Sequence, residues 1–222
     1  MDFPVEEAIR QALENDGNYW GGGLTKVYDA VAMDYLYADV NQLLMFVGNH
    51  DMDRFADVVK DGDIRRVKMG HALVATMRGI PQIFAGDEYA MRSSDRSLGH
   101  STLRMPLPQR DTLNAEQRDV YNYISTLYTW RKSEPVLHTG RTMHFIDRSN
   151  TYAFFRYNDK EAVFVFANGA EENRTIPTDH YAEILTKYSP VGVDVMTGKT
   201  IDLRRTDITA LPLTTLIVKL HK

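Results

Sequence analysis

Two short apolar runs, each followed by polar and acidic residues, limit the folds that are open to this chain. The first run is LLMFV at positions 43–47, and the second is PQIFA at positions 81–85. Apolar runs of this length, without polar alternation, are typical of parallel strands that are covered on both faces. Because parallel strands need long crossover connections, the first part of the chain is predicted to be α/β with a parallel sheet.

Helical periodicity surrounds both runs. Apolar residues spaced for one helix face predict helices at about 5–13, 24–35 and 64–78. A further helix is predicted to begin at Asn114, which has Gln117 at capping-box spacing, and to extend past Leu127. The order of helix, helix, strand, helix, strand, loop and helix agrees with α/β architecture.

The pattern changes after about Glu134. The spacing of turn-forming residues there, including a turn predicted at 148–150, indicates a compact antiparallel β-sandwich. We therefore predict two domains, residues 1–133 and residues 134–222. The predicted strands of the second domain are residues 142–146, 151–157, 162–168, 181–188, 191–196, 200–204 and 213–220.

Composition excludes several classes of function. The net charge of -4 gives no basic surface for nucleic acid, and the absence of cysteine excludes thiolate catalysis and cysteine-ligated metal. No apolar segment is long enough to span a bilayer. The amino-terminal segment is amphipathic and acidic, unlike a signal peptide, so periplasmic and cytoplasmic locations both stay open. We expect no cofactor.

The polar residues that follow the two runs are the candidate site. Asn49, His50 and Asp51 follow the first run, and Asp87 and Glu88 follow the second. In parallel α/β folds, ligands bind at the carboxyl ends of strands. Asp87 and Glu88 are read mainly as structural, with substrate contact as the alternative.

Three interpretations of the first group stay open at this point. His50 and Asp51 cap the following segment, or they ligate a metal together with Asp53, or they form a sugar or acid–base site. Neighbouring residues of a strand point in opposite directions and there is no second histidine cluster, so metal ligation is the least favoured.

These segments resemble the alpha-amylase family of glycoside hydrolases. FVGNHDMDRF is similar to that family's seventh-strand motif, F-x-x-N-H-D followed by Arg, and GIPQIFAGDEYAM is similar to its eighth-strand segment. The opening MDFP resembles the end of the sixth strand, and SLGHSTLRMPLP resembles neopullulanase and cyclomaltodextrinase-like members. The resemblance covers essentially the whole chain. It implies strands six to eight of a (β/α)8 TIM barrel, followed by a C-terminal antiparallel β-sandwich.

The resemblance also implies roles for individual residues. Asp51 matches the carboxylate that binds substrate hydroxyls and stabilises the transition state of a retaining hydrolase acting on maltodextrin or starch. His50 and Asn49 are expected to contact the sugar. Arg104 lies where the family often has an arginine near the sugar site, and Arg54 is expected to contact the sugar or to anchor the loop by pairing with an acidic neighbour.

Two aromatic residues in the glycine-rich segment GNYWGGG are further candidates. Tyr19 and Trp20 are candidates for stacking on a glucose ring, but burial against the barrel is the favoured role.

The family's two other catalytic motifs are not found in this sequence. A retaining glycosidase needs a nucleophile and an acid/base carboxyl group about 5 Å apart. The family carries the nucleophile in a fourth-strand G-F-R-x-D motif and the acid/base Glu on the fifth strand. The resemblance therefore implies a carboxyl-terminal fragment, with both groups expected upstream of Met1, that is inactive by itself.

An α-glucan oligosaccharide is the expected ligand, and the expected partner is the missing amino-terminal part of the parent or a second copy that covers the open barrel. Two alternatives stay open, a non-catalytic carbohydrate-binding or interaction module and a glucanotransferase of the same family.

Overall fold

The computed structural model describes residues 1–17, 19–146 and 149–222, with the side chains of Arg96 and His100 also left aside. The predicted turn at 148–150 therefore includes one residue, Arg148, that lies outside the described residues. In the described part of the chain, no helix is long and apolar enough to cross a membrane.

The first part contains helices around a short parallel pair of strands. Its elements in chain order are α1 (Phe3–Leu13), α2 (Thr25–Ala32), β1 (Leu44–Met45), α3 (Phe55–Val58), α4 (Ile64–Thr76), β2 (Ile80–Pro81) and α5 (Ala115–Lys132). The 3-10 turns Met33–Leu36 and Val40–Gln42 precede β1, and four further 3-10 turns lie between α3 and α5.

Helix starts follow the expected capping chemistry. The Asn114 side chain accepts a hydrogen bond from the Gln117 N–H, and the Gln117 side chain accepts one from the Asn114 N–H, both at 2.9 Å. This reciprocal arrangement satisfies two amide groups that have no partner inside α5. The predicted capping box is confirmed.

The parallel pairing joins β1 to β2, with Leu44 opposite Ile80 and Met45 opposite Pro81. The N–H of Asp2 donates to the Leu44 carbonyl at 2.9 Å, so the segment before α1 runs beside β1. The prediction of a buried strand at 81–85 is wrong in extent, because the ladder covers only Ile80–Pro81 and Ile80 is half exposed. Among the described strands, β2 pairs only with β1, so its outer edge lacks the neighbour that would bury it.

The second part begins with α6 (Pro135–Thr139) and then forms β3 (Arg141–Ile146), β4 (Thr151–Tyr157), β5 (Glu161–Asn168) and β6 (Arg174–Thr175). A 3-10 turn at Thr178–Tyr181 leads into α7 (Ala182–Leu185). The remaining strands are β7 (Val191–Asp194), β8 (Thr200–Asp202), β9 (Thr209–Ala210) and β10 (Thr214–His221). Six strands form one antiparallel sheet in the order β3-β4-β5-β10-β7-β8, and β6 pairs with β9 in a small second sheet.

One predicted strand is helical. The run at 181–188 is rich in Tyr, Ile and Leu, but the chain forms the 3-10 turn and α7 there. Tyr181 and Ile184 are both fully buried, which places them three residues apart on one helical face toward the core of the second part. A spacing of three satisfies burial only in a helix. The strand prediction at 181–188 is therefore wrong.

The strands β4 and β5 of the large sheet are buried on both faces, in two different cores. Tyr152, Phe154 and Val165 point toward the core that also contains the helices of the first part. The alternate residues, among them Phe155 and Phe164, point toward α7 and the small sheet. The sheet is therefore a layer that the two parts of the chain share.

Candidate functional site

The first group of candidate residues forms a tight turn after β1. Phe46 and Val47 directly follow β1 and are buried, and Asn49, two residues further on, is buried as well. The Asn49 side-chain oxygen accepts a hydrogen bond from the Asp51 N–H at 2.8 Å. This bond closes an Asx turn, in which an asparagine side chain substitutes for a backbone carbonyl. Asn49 therefore shapes the backbone that carries Asp51.

His50 and Asp51 project into solvent, each with 62% of its side chain exposed. The His50 Nε2 atom lies 3.2 Å from Asp51 Oδ2. Arg104, from the long loop after β2, donates to Asp51 Oδ1 at 2.9 Å and to the His50 carbonyl at 3.1 Å. The structure thus brings together Asn49, His50, Asp51 and Arg104, which are up to 55 positions apart in the sequence.

Arg54 lies in the interior, where its guanidinium connects the ends of the two strands. It donates to Asp87 Oδ1 at 3.0 Å and to the Ala85 carbonyl at 2.8 Å, and it stacks over the Phe84 ring at 4.0 Å. Both charged side chains are almost fully buried. The structure shows the anchoring alternative for Arg54, because a guanidinium in this position has no free surface for a sugar.

Burial dominates the electrostatics of Asp87. It raises the pKa of Asp87 from 3.8 to about 6, against the opposing effect of the Arg54 charge. The second carboxylate oxygen of Asp87 is buried without a hydrogen-bond partner in the described part of the chain. Glu88 has a different role, because its carboxylate accepts the Gly86 N–H at 2.7 Å and so holds the turn after β2.

Arg10 is a residue of this site that the sequence reasoning missed. From α1, its Nη1 atom donates to the Val47 carbonyl at 3.0 Å and to the Asp53 carbonyl at 3.2 Å. These two carbonyls flank the segment that carries Asp51. An arginine on an amphipathic helix normally indicates a solvated face, so periodicity alone gives no signal of this contact.

Tyr19 and Trp20 lie on a different loop. The segment is anchored on Asn150 of the second part, whose side chain accepts the Leu24 N–H at 2.9 Å and donates to the Asp16 carbonyl at 3.0 Å. Tyr19 is half exposed and Trp20 is completely exposed. Neither ring is buried within this chain, so the structure does not show the favoured packing against the barrel. The described contacts do not join either ring to His50, Asp51 or Arg104.

The metal interpretation gains no geometric support. Within residues 1–17, 19–146 and 149–222, no three His, Asp or Glu side chains are grouped so that they could hold a metal ion. The His50 and Asp51 side chains lie beside each other instead, and Arg104 pairs with the Asp51 carboxylate.

The fold and the motif positions define a class of protein, namely barrel-type α/β proteins that continue into an antiparallel β-sandwich. A family model described as the alpha-amylase catalytic domain matches residues 1–121, and one described as the cyclo-malto-dextrinase C-terminal domain matches residues 142–219. Because the first match covers more than half of the sequence, the chain belongs to the alpha-amylase family.

Curated relatives are longer proteins. The chain is 30% identical over 168 residues to a cyclomaltodextrin glucanotransferase of Geobacillus stearothermophilus. This match covers 76% of this chain and 22% of that protein. It is 29% identical over 193 residues to an alpha-amylase of Niallia circulans, covering 83% of this chain and 34% of the relative. The chain therefore spans between a fifth and about a third of the length of these relatives.

Solved structures show the same fold. The alpha-amylase of Geobacillus thermoleovorans, solved as a complex with acarbose, superposes with a TM-score of 0.79 at 20% identity, over 100% of this chain and 48% of that one. The cyclic alpha-maltosyl-(1→6)-maltose hydrolase of Arthrobacter globiformis gives a TM-score of 0.74 at 19% identity, over 100% of this chain and 44% of that one. Both likenesses extend across the barrel strands and the sandwich together.

Proposed function

We propose that this chain supplies the transition-state-stabilising carboxylate, Asp51, of a retaining glycoside hydrolase that acts on maltodextrin or starch-type α-glucans. The observation that carries the proposal is the position of Asp51. It lies exposed just beyond the carboxyl end of a buried parallel strand, in the turn N-H-D, with Arg104 and His50 on its two oxygens. The resemblance of the loop after β2 to neopullulanase and cyclomaltodextrinase-like members supports substrates of that kind.

The geometry suits hydroxyl binding. A carboxylate has about four lone-pair positions; Arg104 occupies one of them, and the His50 ring lies 3.2 Å from the other oxygen, so at least two remain for the hydroxyl groups of a sugar. The reaction passes through an oxocarbenium-like state, and hydrogen bonds that strengthen in that state lower the barrier. Arg104 holds the Asp51 carboxylate in one orientation, with its free lone pairs toward solvent. The exposed His50 ring adds a second polar group beside it.

The chain alone is proposed to lack hydrolase activity. The two further carboxyl groups that a retaining mechanism requires are expected on barrel strands four and five, whose motifs do not occur in this sequence. A barrel takes about 250 residues, and two paired strands do not close one. The half-exposed Ile80 on β2 supports a complementary barrel segment, or a second copy, as the partner that covers this edge.

The exposed aromatic loop is a secondary part of the proposal. Trp20 and Tyr19 offer ring faces on which a glucan chain stacks, at a place distinct from the carboxylate cluster.

Transfer in place of hydrolysis is the second candidate. Several curated relatives are cyclomaltodextrin glucanotransferases, and the N-H-D turn by itself serves either reaction. A non-catalytic carbohydrate-binding module is a third candidate, and it makes the same prediction for sugar binding but not for turnover.

The test measures maltoheptaose binding to the 222-residue chain by NMR, from the change in amide chemical shifts during titration. Asp51→Asn is expected to weaken binding at least tenfold, because a hydrogen bond to a charged group contributes about 1.5–3 kcal/mol and about 1.4 kcal/mol is a factor of ten. Asp207→Asn is the matched control, since Asp207 is also an exposed carboxylate paired with an arginine, but in the second part of the chain. Unchanged affinity in Asp51→Asn, or no binding to the unmodified chain, contradicts the proposed role of Asp51, and robust maltoheptaose hydrolysis by the chain contradicts its proposed inactivity.

A further inference from the structure

The turn that carries Asp51 is attached to α1 at both of its ends. Arg10 Nη1 donates to the Val47 carbonyl, just before Gly48, and to the Asp53 carbonyl, just after Met52. One guanidinium nitrogen therefore fixes the distance between the beginning and the end of the segment 48–52. The Arg10 side chain is only 12% exposed, its contact with the Val47 carbonyl is partly buried, and its contact with the Asp53 carbonyl is exposed.

The hydrogen bonds described within the turn lie in its middle. The bond from Asp51 N–H to Asn49 Oδ1 shapes the middle of the segment, and the bond from Met52 N–H to the Asn49 carbonyl is long, at 3.4 Å. Neither of them connects the two ends. A partly buried carbonyl group such as that of Val47 needs a donor, and Arg10 supplies it while also donating to the Asp53 carbonyl.

Arg54 secures the far side in a complementary way. It follows Asp53 directly and ties the chain to the end of β2 through Asp87 and the Ala85 carbonyl. Arg10 thus ties the segment to α1, and Arg54, directly after the segment, ties it to the chain that follows β2.

Glu6, one helical turn before Arg10, lies behind this contact. Its Oε1 atom is 3.2 Å from Arg10 Nε, as an ion pair without hydrogen-bond alignment. A groove of about 570 Å³ opens beside it, between α1 and residues 52–58. The groove gives the turn room to move outward if the guanidinium is removed.

We infer that Arg10 is a positioning residue for Asp51, which sets the height of the carboxylate above the end of β1 without touching substrate. The inference rests on the proposed function, because it assigns Arg10 a task in the same site. Its physical basis is that misplacing a reacting or stabilising group by about 1 Å can cost about a hundredfold in rate. A backbone clamp on both ends of a five-residue turn limits displacements of that size.

The test compares three variants of the full chain by amide hydrogen exchange and by maltoheptaose titration. Arg10→Met removes both donors and keeps the aliphatic stem, whereas Arg10→Lys keeps a cationic donor. Arg118→Met is the matched control, because Arg118 also donates to a backbone carbonyl, that of Leu113, but near the start of α5.

In Arg10→Met, exchange of peptides that span residues 46–54 is expected to become at least tenfold faster, with α4 and β5 unchanged. Maltoheptaose affinity is expected to fall at least fivefold. Arg10→Lys should stay within about threefold of the unmodified chain in both measurements, and Arg118→Met should not change exchange at 46–54.

Two results overturn the inference. One is wild-type exchange at 46–54 in Arg10→Met, and the other is a uniform rise across the whole chain, which indicates a contribution to global stability only. Failure of the proposed function is distinguishable, because the exchange measurement needs no sugar. If the unmodified chain does not bind maltoheptaose while Arg10→Met still loosens 46–54 selectively, the sugar site is wrong and the positioning of Asp51 by Arg10 stands.

Discussion

At the scale of single residues, the site combines an exposed carboxylate with a buried one. Asp51 is open to solvent and free to meet a ligand, whereas Asp87 is enclosed with Arg54 under the same strand ends. A buried ion pair contributes little net stability, because desolvation offsets most of the attraction. The raised pKa of Asp87 is the signature of that desolvation. Its protonation should therefore be visible in the stability of the fold.

The first prediction concerns this titration. The folded pKa of Asp87, about 6, lies above its ordinary value of 3.8, so the native state binds more protons than the unfolded state between these pH values. The Asp87 contribution to stability is fully present below pH 4 and is lost as the pH rises through 6. A shift of about two units corresponds to about 3 kcal/mol. Urea unfolding at pH 4, 5, 6 and 7 should show a steeper decline in the unmodified chain than in Asp87→Asn.

Comparing the unmodified chain with Asp87→Asn separates the effect of Asp87 on stability from the effects of other titrating groups. Burial also raises the pKa of Glu6 to about 7, so both proteins share a decline from that residue. The informative quantity is the unfolding free energy of the unmodified chain minus that of Asp87→Asn. A difference that stays constant from pH 4 to pH 7 would show that Asp87 does not titrate in this range.

At the scale of elements, the sequence predicted the long helices and most of the antiparallel strands. The regular stripes of α1 and α4 and the capping box of α5 have short-range causes, which are readable without the fold. The strand predicted at 181–188 failed because its β-prone residues are buried at a spacing of three, which only the surrounding core determines. Asn49, His50 and Asp51 were found as a motif, but the contacts of Arg10 and Arg104 depend on long-range packing that no local pattern encodes.

A second prediction belongs to the loop that connects α1 to α2. The Asn150 side chain bonds to Leu24, Asp16 and Gly169, and its own φ is +60°. Asn150→Gly keeps the backbone freedom and removes three hydrogen bonds, so we expect a loss of about 2–3 kcal/mol in unfolding free energy. Asn150→Ala should lose about 1 kcal/mol more, because a left-handed backbone strains alanine. Chemical denaturation of both variants measures the two effects separately, and equal stability of the two variants would contradict the strain argument.

At the scale of the whole molecule, the large sheet makes the two parts interdependent. Its strands β4 and β5 are buried on both faces, so they belong to the core of the helices and to the core around α7 at once. Further links cross between the parts, such as Arg66, which contacts both Asp16 and Glu171. The division of the chain after residue 133 stays a prediction about domain boundaries. It does not imply two separately stable units.

The third prediction tests this coupling. Leu73→Ala in α4 opens a cavity in the shared core and should cost about 2–5 kcal/mol. Because β5 lines the same core, hydrogen exchange should become faster in β5 as well as in α4. Ile184→Ala is the comparison, because it also removes a large buried aliphatic side chain but opens its cavity in the core around α7. Wild-type protection of β5 in Leu73→Ala would show that the sheet is stable without the helices.

Arg10 contacts both the Val47 and the Asp53 carbonyl, and this limits insertions and deletions in the segment between them. A strand-like residue adds about 3.3 Å to a chain. An inserted or deleted residue between 48 and 52 would therefore carry one of the two carbonyls beyond the reach of the same nitrogen. Substitutions that keep Gly48, Asn49, Asp51 and the number of residues leave both Arg10 contacts in place. The length of the segment is therefore fixed by Arg10 separately from the identity of its side chains.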